Sequence, residues 1–131
     1  MPKVYIVCGL MLPLCLSACL SAPSTQIIET GLPYKLSAAE SDAVKRGVRA
    51  VMKDPGSALF RSEFHAAQEA SGLVTVCGFV NGKNAFGGYT GDKPFVGAFS
   101  TPAAFQTLKI GGADIETKVV LDYCRAKAIP V

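Results

Sequence analysis

The sequence holds a single histidine, His65, among 131 residues, and this scarcity narrows the chemistry open to it. The interior cysteines Cys77 and Cys124 lack CxxC spacing and have no further Cys or His ligands near them in sequence, so the ligand set of a metal site is missing. In the glycine-rich stretch, neither GxxxxGK[ST] nor GxGxxG occurs, which removes the usual phosphate and dinucleotide cradles. No serine or cysteine nucleophile sits in a recognisable motif. The charge is also unremarkable, with 13 basic and 10 acidic residues for a net +3. Basic residues are spread among acidic neighbours, and the pattern predicts neither a nucleic-acid footprint nor a polybasic membrane patch. These absences predict no cofactor, no metal and no catalytic residue.

What is present begins with an export signal. Lys3 gives a short positive region, Val4 to Leu16 is an apolar run too short to span a bilayer comfortably, and the small residues Ser17 and Ala18 follow. Leu16-Ser17-Ala18-Cys19 resembles the lipobox of bacterial lipoprotein signal peptides at all four positions. The resemblance implies that residues 1–18 are removed and that Cys19 becomes the lipidated first residue. The competing readings are an ordinary secretory peptide cleaved nearby and a buried helix. Leu20 stands where enterobacterial-type lipoproteins retained at the inner membrane carry aspartate, so the resemblance favours the outer membrane, with the protein facing the periplasm. Acyl chains contribute about 0.8 kcal/mol per buried CH₂, enough for several of them to confine a protein to its bilayer.

Export also sorts the cysteines. Cys8 and Cys15 leave with the signal and Cys19 takes the lipid, so Cys77 and Cys124 remain as an even pair in an oxidising compartment. A bridge between them is expected, and loop-closure entropy gives it about 4 kcal/mol. Two free thiols or a metal pair are the alternatives.

Residues 19–36 hold two prolines and small polar residues without an amphipathic period, the composition of a tether, although Ile27-Ile28 can dock or add an edge strand. Ser37 to Lys53 reads as a helix, with a Ser37/Glu40 capping box and Val44, Val48, Val51 and Met52 on one stripe. Gly47 within it suggests close approach to another element. Asp54-Pro55-Gly56 ends the helix. Ala58 to Ala66 alternates as a strand, with Phe60, Ser62, Phe64 and Ala66 on one face and Leu59, Arg61, Glu63 and His65 on the other. Leu73 to Asn81 is apolar on both faces, as a central strand is. Pro94 to Ser100 supplies a third strand, and Thr101 to Gly112 a weaker fourth. Asp114 is placed to cap a last helix through Lys127, with Ile115, Val119, Val120, Tyr123 and Cys124 on a broad stripe. The expected fold for residues 37–131 is one α+β domain. It has an N-terminal helix, an antiparallel sheet of three to four strands, and a C-terminal helix stapled to the sheet by the disulfide.

Two stretches carry a further resemblance: Lys53-Asp54-Pro55-Gly56-Ser57-Ala58-Leu59-Phe60, and Cys77 through Phe95. They are similar to KDPxSAxF-like and CGxVNxKNxFGGYxGxxPF-like motifs of small exported proteobacterial and phage-associated proteins. The likeness covers about 90 residues, Ser37 to Lys127. It implies the domain boundaries and the cysteine pair and supplies no mechanism.

The loop Asn81 to Lys93 concentrates backbone freedom and polar groups. Its glycine N–H groups can form an anion nest beside Lys83, or Lys83, Asn84, Phe86 and Tyr89 can form a contact surface for an envelope protein. Against both stands the reading that the glycines make turns while Phe86 and Tyr89 complete the core. His65 reads as a surface histidine, and Asp92 and Asp114 as turn and cap residues. Two functions follow: a lipid-anchored binding or structural module of the envelope, or a small periplasmic hydrolase or ligand-binding protein using the glycine loop.

Overall fold

A computed structural model describes residues 30–61 and 63–131. The stretch read as an export signal, Cys19 and Ile27-Ile28 lie outside the described residues. Six strands and two helices follow in the order β1 (Leu32–Tyr34), α1 (Ala38–Ala50), β2 (Leu59–Phe60), β3 (His65–Gln68), β4 (Val74–Asn81), β5 (Lys93–Thr101), β6 (Ala104–Ile110) and α2 (Asp114–Ala126). A single 3₁₀ turn, Pro55–Ser57, separates α1 from β2. All strand pairings are antiparallel, in the sheet order β1-β3-β4-β5-β6, with β2 pairing β4 beyond the end of β3.

Several expectations need correction. The domain does not open on a helix, because β1 precedes α1 and pairs with β3 through Leu32 opposite Gln68. This strand lies in the stretch whose composition suggests a tether, and it is only three residues long with Pro33 at its centre, as suits a sheet edge. The sheet also has six strands where three to four were expected. The alternating run Ala58 to Ala66 is divided: Phe60 faces Val80 and His65 faces Cys77, so five steps on this side match three on β4. The excess of two is even, so the inward and outward alternation survives the interruption. Asp114, finally, is the first helical residue and not the cap; Ala113 occupies the cap position without a side-chain bond.

The sheet is covered on both faces. Val44 and Val48 of α1 pack over Val76, Val80, Phe95, Phe99 and Phe105. On this side the rings of Phe60, Phe64 and Phe95 meet edge-on, with centroids 5.6–6.5 Å apart. Gly47 lets α1 approach: a Cβ there would stand 2.7 Å from Cδ1 of Phe105. The capping box forms as the spacing predicts, with Glu40 N–H donating to Ser37 Oγ and Ser37 N–H to Glu40 Oε2.

On the opposite face, Val120 and Cys124 of α2 join Ala67, Cys77 and Val96. The Cys77–Cys124 disulfide links the central strand to this helix, and both cysteines are completely buried. Past the helix, Ile129 N–H donates to Cys124 O and Ala128 N–H to Arg125 O, a Schellman ending that turns Ile129 back into the core. Ile115 and Val119, expected on the inward stripe, lie exposed. Lys127, at the end of α2, is buried, and its Nζ donates to Glu69 Oε1 at 2.7 Å.

Candidate functional site

β4 and β5 continue past the body of the sheet as a finger. Lys83 and Tyr89 pair across it as an isolated antiparallel bridge, and Thr90 N–H donates to Gly82 O. At the tip, Asn84 N–H donates to Gly88 O and Gly87 N–H to Asn84 O. The side chain of Asn84 fills the turn, where its Oδ1 accepts from Phe86 N–H at 3.0 Å and Gly88 N–H at 3.1 Å. Gly87 and Gly91 adopt positive φ, as the glycine-rich sequence predicts. The turn donors that an anion nest would need are therefore engaged within the finger.

Phe86 is 97% exposed at the tip and Tyr89 is exposed behind it, with Lys83 Nζ 5.5 Å from the Tyr89 ring centroid. These aromatics do not complete the core, because the hairpin holds both of them in solvent. The structure brings all four candidates, Lys83, Asn84, Phe86 and Tyr89, into one hairpin but gives them different work. Asn84 shapes the turn, while Phe86, Tyr89 and Lys83 face solvent.

The finger is braced by the turn after α1. Ser57 is buried; its hydroxyl accepts from Lys83 N–H at 2.9 Å and donates to Asp54 O at 2.9 Å. Met52 lies against Gly82, where its methyl group occupies the space a Cβ would need. On the other side of the base, Arg61 Nε donates to Asp92 Oδ2 at 2.6 Å and its guanidinium lies 5.0 Å from the Phe79 ring centroid. The two sequence motifs thus form one physical unit. Sequence reasoning missed Ser57, for which the only signal was its place in the Asp-Pro-Gly-Ser turn.

His65, read as a surface histidine, is half-buried in the structure. It belongs to the shared wall of two shallow clefts of about 400 and 620 Å³, together with Glu63 and Pro130. The smaller has Phe79 and Arg61 on its sides, and the larger reaches Tyr34, Lys35 and Ser41. The second wall comes from the chain after α2, which no local pattern around His65 announces. Although Ser41, Glu63 and His65 line one cleft, no hydrogen bond joins them among the described residues, so the arrangement lacks the nucleophile–base contact that acyl transfer uses. No cluster of three or more metal-ligating side chains occurs among the described residues.

Shifted carboxyls lie away from these clefts or at their edge. Backbone and side-chain bonds from Ser37 hold Glu40 below its ordinary range, and Tyr34, donating to Glu40 at 2.9 Å, is raised by that bond. Lys109 lowers Glu116, and Lys118 lowers Asp122. Each has a structural partner that accounts for it.

No family model, curated protein or solved structure matches the chain.

Proposed function

We propose that this protein is a lipid-anchored module of the bacterial cell envelope that engages another envelope component through the 82–91 finger. Phe86 is the observation that carries this reading. A phenylalanine left 97% exposed gains nothing for the fold, yet its hairpin is internally hydrogen-bonded and braced by Ser57 and Arg61. Rigid presentation of an exposed aromatic lowers the ordering cost of binding, and aromatic rings are over-represented among residues that dominate interfaces. Lys83 and Tyr89 supply a cation and a second ring beside it.

Polarity along the sheet supports the arrangement. β1 enters opposite Gln68, which pairs Val74 at the start of β4, whereas the finger leaves from Asn81 at the other end. Eight residues of β4 span about 26 Å at about 3.3 Å per residue, so an anchor preceding β1 leaves the finger on the far side of the domain. The buried Cys77–Cys124 bridge suits an oxidising compartment. Among the described residues no helix is long and apolar enough to cross a membrane, and in this reading the attachment is the acyl group on Cys19.

Labelling with a clickable fatty acid tests the anchor: wild type takes the label, Cys19→Ala does not, and equal labelling overturns it. Gradient fractionation locates the membrane. A photoreactive amino acid at position 86 tests the finger by capturing a discrete envelope partner, and capture by position 32 alone removes the proposal. A second reading, a small hydrolase or ligand-binding protein, draws on the clefts around Ser41, Glu63 and His65. There, His65→Ala abolishes turnover while partner capture continues.

A further inference from the structure

The finger ends in a bare ring. Phe86 stands 97% exposed between Ala85 and the pair Gly87-Gly88, so no side chain larger than a methyl group flanks it at the apex. An aromatic that dominates a protein interface sits inside a ring of contacts that exclude water, and this tip offers its partner little from which to build one. A fluid apolar phase needs no such ring, because it closes around a single convex side chain.

We propose that the component engaged by the finger is the phospholipid bilayer that holds the anchor, with Phe86 entering the boundary between headgroups and acyl chains. This rests on the finger reading above and names its partner. The hairpin is graded as a bilayer surface is: the apolar ring stands at the apex, the amphipathic ring of Tyr89 is exposed behind it, and the Lys83 ammonium lies 5.5 Å from the centre of that second ring. The tip also sheds water at low cost. Amides of Asn84, Phe86, Gly87 and Gly88 all donate within the turn, which removes much of the penalty for carrying backbone toward a medium without hydrogen-bonding partners.

Charge complements this surface. Residues 82–91 contain Lys83 and no acid, the next acid, Asp92, is paired with Arg61 at 2.6 Å, and Lys53 and Asp54 at the end of α1 offset each other, so Lys83 meets anionic phosphates without an acidic neighbour to repel them. The anchor is within reach. Cys19 lies 13 residues before Leu32, and Phe86 lies 12 residues after Val74, which stands at the same end of the sheet as Leu32. At no more than about 3.3–3.6 Å per residue, the first length matches the second, so the anchor and the tip can meet one bilayer although β1 and the finger leave opposite ends of the sheet. A single ring binds weakly by itself. Beside acyl chains already in that bilayer it acts at high effective concentration and fixes how the domain stands on the surface.

The sequence has no tryptophan, so one introduced indole reports one position. The full chain carrying Phe86→Trp, purified from membranes, is reconstituted into vesicles of phosphatidylethanolamine with a minor share of phosphatidylglycerol, with or without bromine on the acyl chains. Brominated lipid should quench the indole at position 86 at least about threefold, against little change for Leu32→Trp at the other end of the sheet. Because tryptophan itself favours membrane interfaces, Tyr89→Trp reports on a tip that keeps its phenylalanine: its quenching should fall at least about twofold when Phe86→Ala is added. Quenching at position 86 no greater than at position 32, or quenching at position 89 indifferent to Phe86→Ala, overturns the proposal. The photoreactive group at position 86 separates this failure from that of the finger reading. An unquenched indole with capture of one envelope protein removes the lipid and leaves the finger as a binding element; an unquenched indole with no capture removes both.

Discussion

Ser57 and Lys83, 26 residues apart in sequence, are joined by a 2.9 Å hydrogen bond from the Lys83 amide to the Ser57 hydroxyl. Because Ser57 also donates to Asp54 O, one buried hydroxyl ties the finger to the turn that ends α1. Ser57→Ala leaves the Lys83 amide without its partner, at an expected cost of about 1 to 3 kcal/mol. The informative readout is local. Amide exchange at Lys83 and Thr90 should accelerate more than exchange in β4 and β5; uniform acceleration would mean that the hydroxyl supports the whole domain and not the finger.

Among the exposed finger residues, Phe86→Ala or Tyr89→Ala should weaken partner capture by about 1 to 3 kcal/mol each without changing the circular dichroism spectrum. Lys83→Ala should lower it by a smaller, salt-sensitive amount. Asn84→Ala acts by another route, because two turn amides lose their acceptor and the finger loosens. His65→Ala should leave capture unchanged, and a loss of capture in this folded variant would move the contact surface to the clefts.

The bridge between Cys77 and Cys124 lies where neither reductant nor alkylating agent reaches it without opening the domain. Replacing either cysteine by serine should lower stability by about 2 to 5 kcal/mol, measured by urea unfolding of folded protein. Native protein should give no alkylated Cys77 or Cys124, and ready alkylation before unfolding would count against the buried bridge.

Much of this architecture is written locally. The capping box at Ser37 and Glu40, the two-faced apolar run of β4, and Gly47 beside Val44 and Val48 each state their structure within a few residues. Features that depend on distant partners are not written that way. The split between β2 and β3 needs the register against β4, and a strand as short as β1 is set by pairing with β3, not by its own propensity. The finger was legible as turn chemistry in its glycines, but its turn at Asn84–Gly88 and the exposure of Phe86 were not. Sequence pattern favours an inward position for any phenylalanine, and only the extension of the hairpin past the paired strands decides otherwise.

Ala128 has φ of 59°, the left-handed geometry at the residue after a helix that glycine adopts most easily. It is accepted because the two Schellman bonds and the buried Ile129 fix the ending. Ala128→Gly should raise stability by about 0.5 to 1 kcal/mol, seen as a higher thermal midpoint. Ile129→Ala should lower it by about 2 to 5 kcal/mol through the cavity left behind.

Acid sensitivity at the start of α1 follows from Glu40. Bonds from the Ser37 amide and hydroxyl favour its ionised form, so its folded pKa is below the ordinary 4.5. The unfolded chain then binds more protons in the window just below that value. This contribution is complete above the ordinary pKa and is lost as pH falls through the lowered one. Glu40→Gln keeps a possible acceptor but removes the titration, so its urea midpoint should fall less steeply than wild type on acidification below the ordinary carboxyl range. Equal slopes would mean that the capping charge contributes nothing.

Glu69 and Lys127 form the one ion pair among the described residues with both side chains only 9% exposed, and it closes the turn before β4 onto the end of α2. Thr75 Oγ1 approaches the same carboxylate oxygen at 3.5 Å, and the Lys127 ammonium lies 5.7 Å from the Tyr123 ring centroid. Taking two charges out of water is expensive, so the pair need not outperform an apolar packing, but losing one partner leaves a buried charge uncompensated. Lys127→Met should therefore cost about 3 to 5 kcal/mol, and Glu69→Leu a similar amount. The double substitution should recover much of that loss, since Tyr123 can pack on the methionine, although the buried Thr75 hydroxyl loses its carboxylate acceptor. A double variant as unstable as the two single changes added together would show that the residues act separately, and the turn would then be held by its own Glu69 N–H to Leu73 O bond.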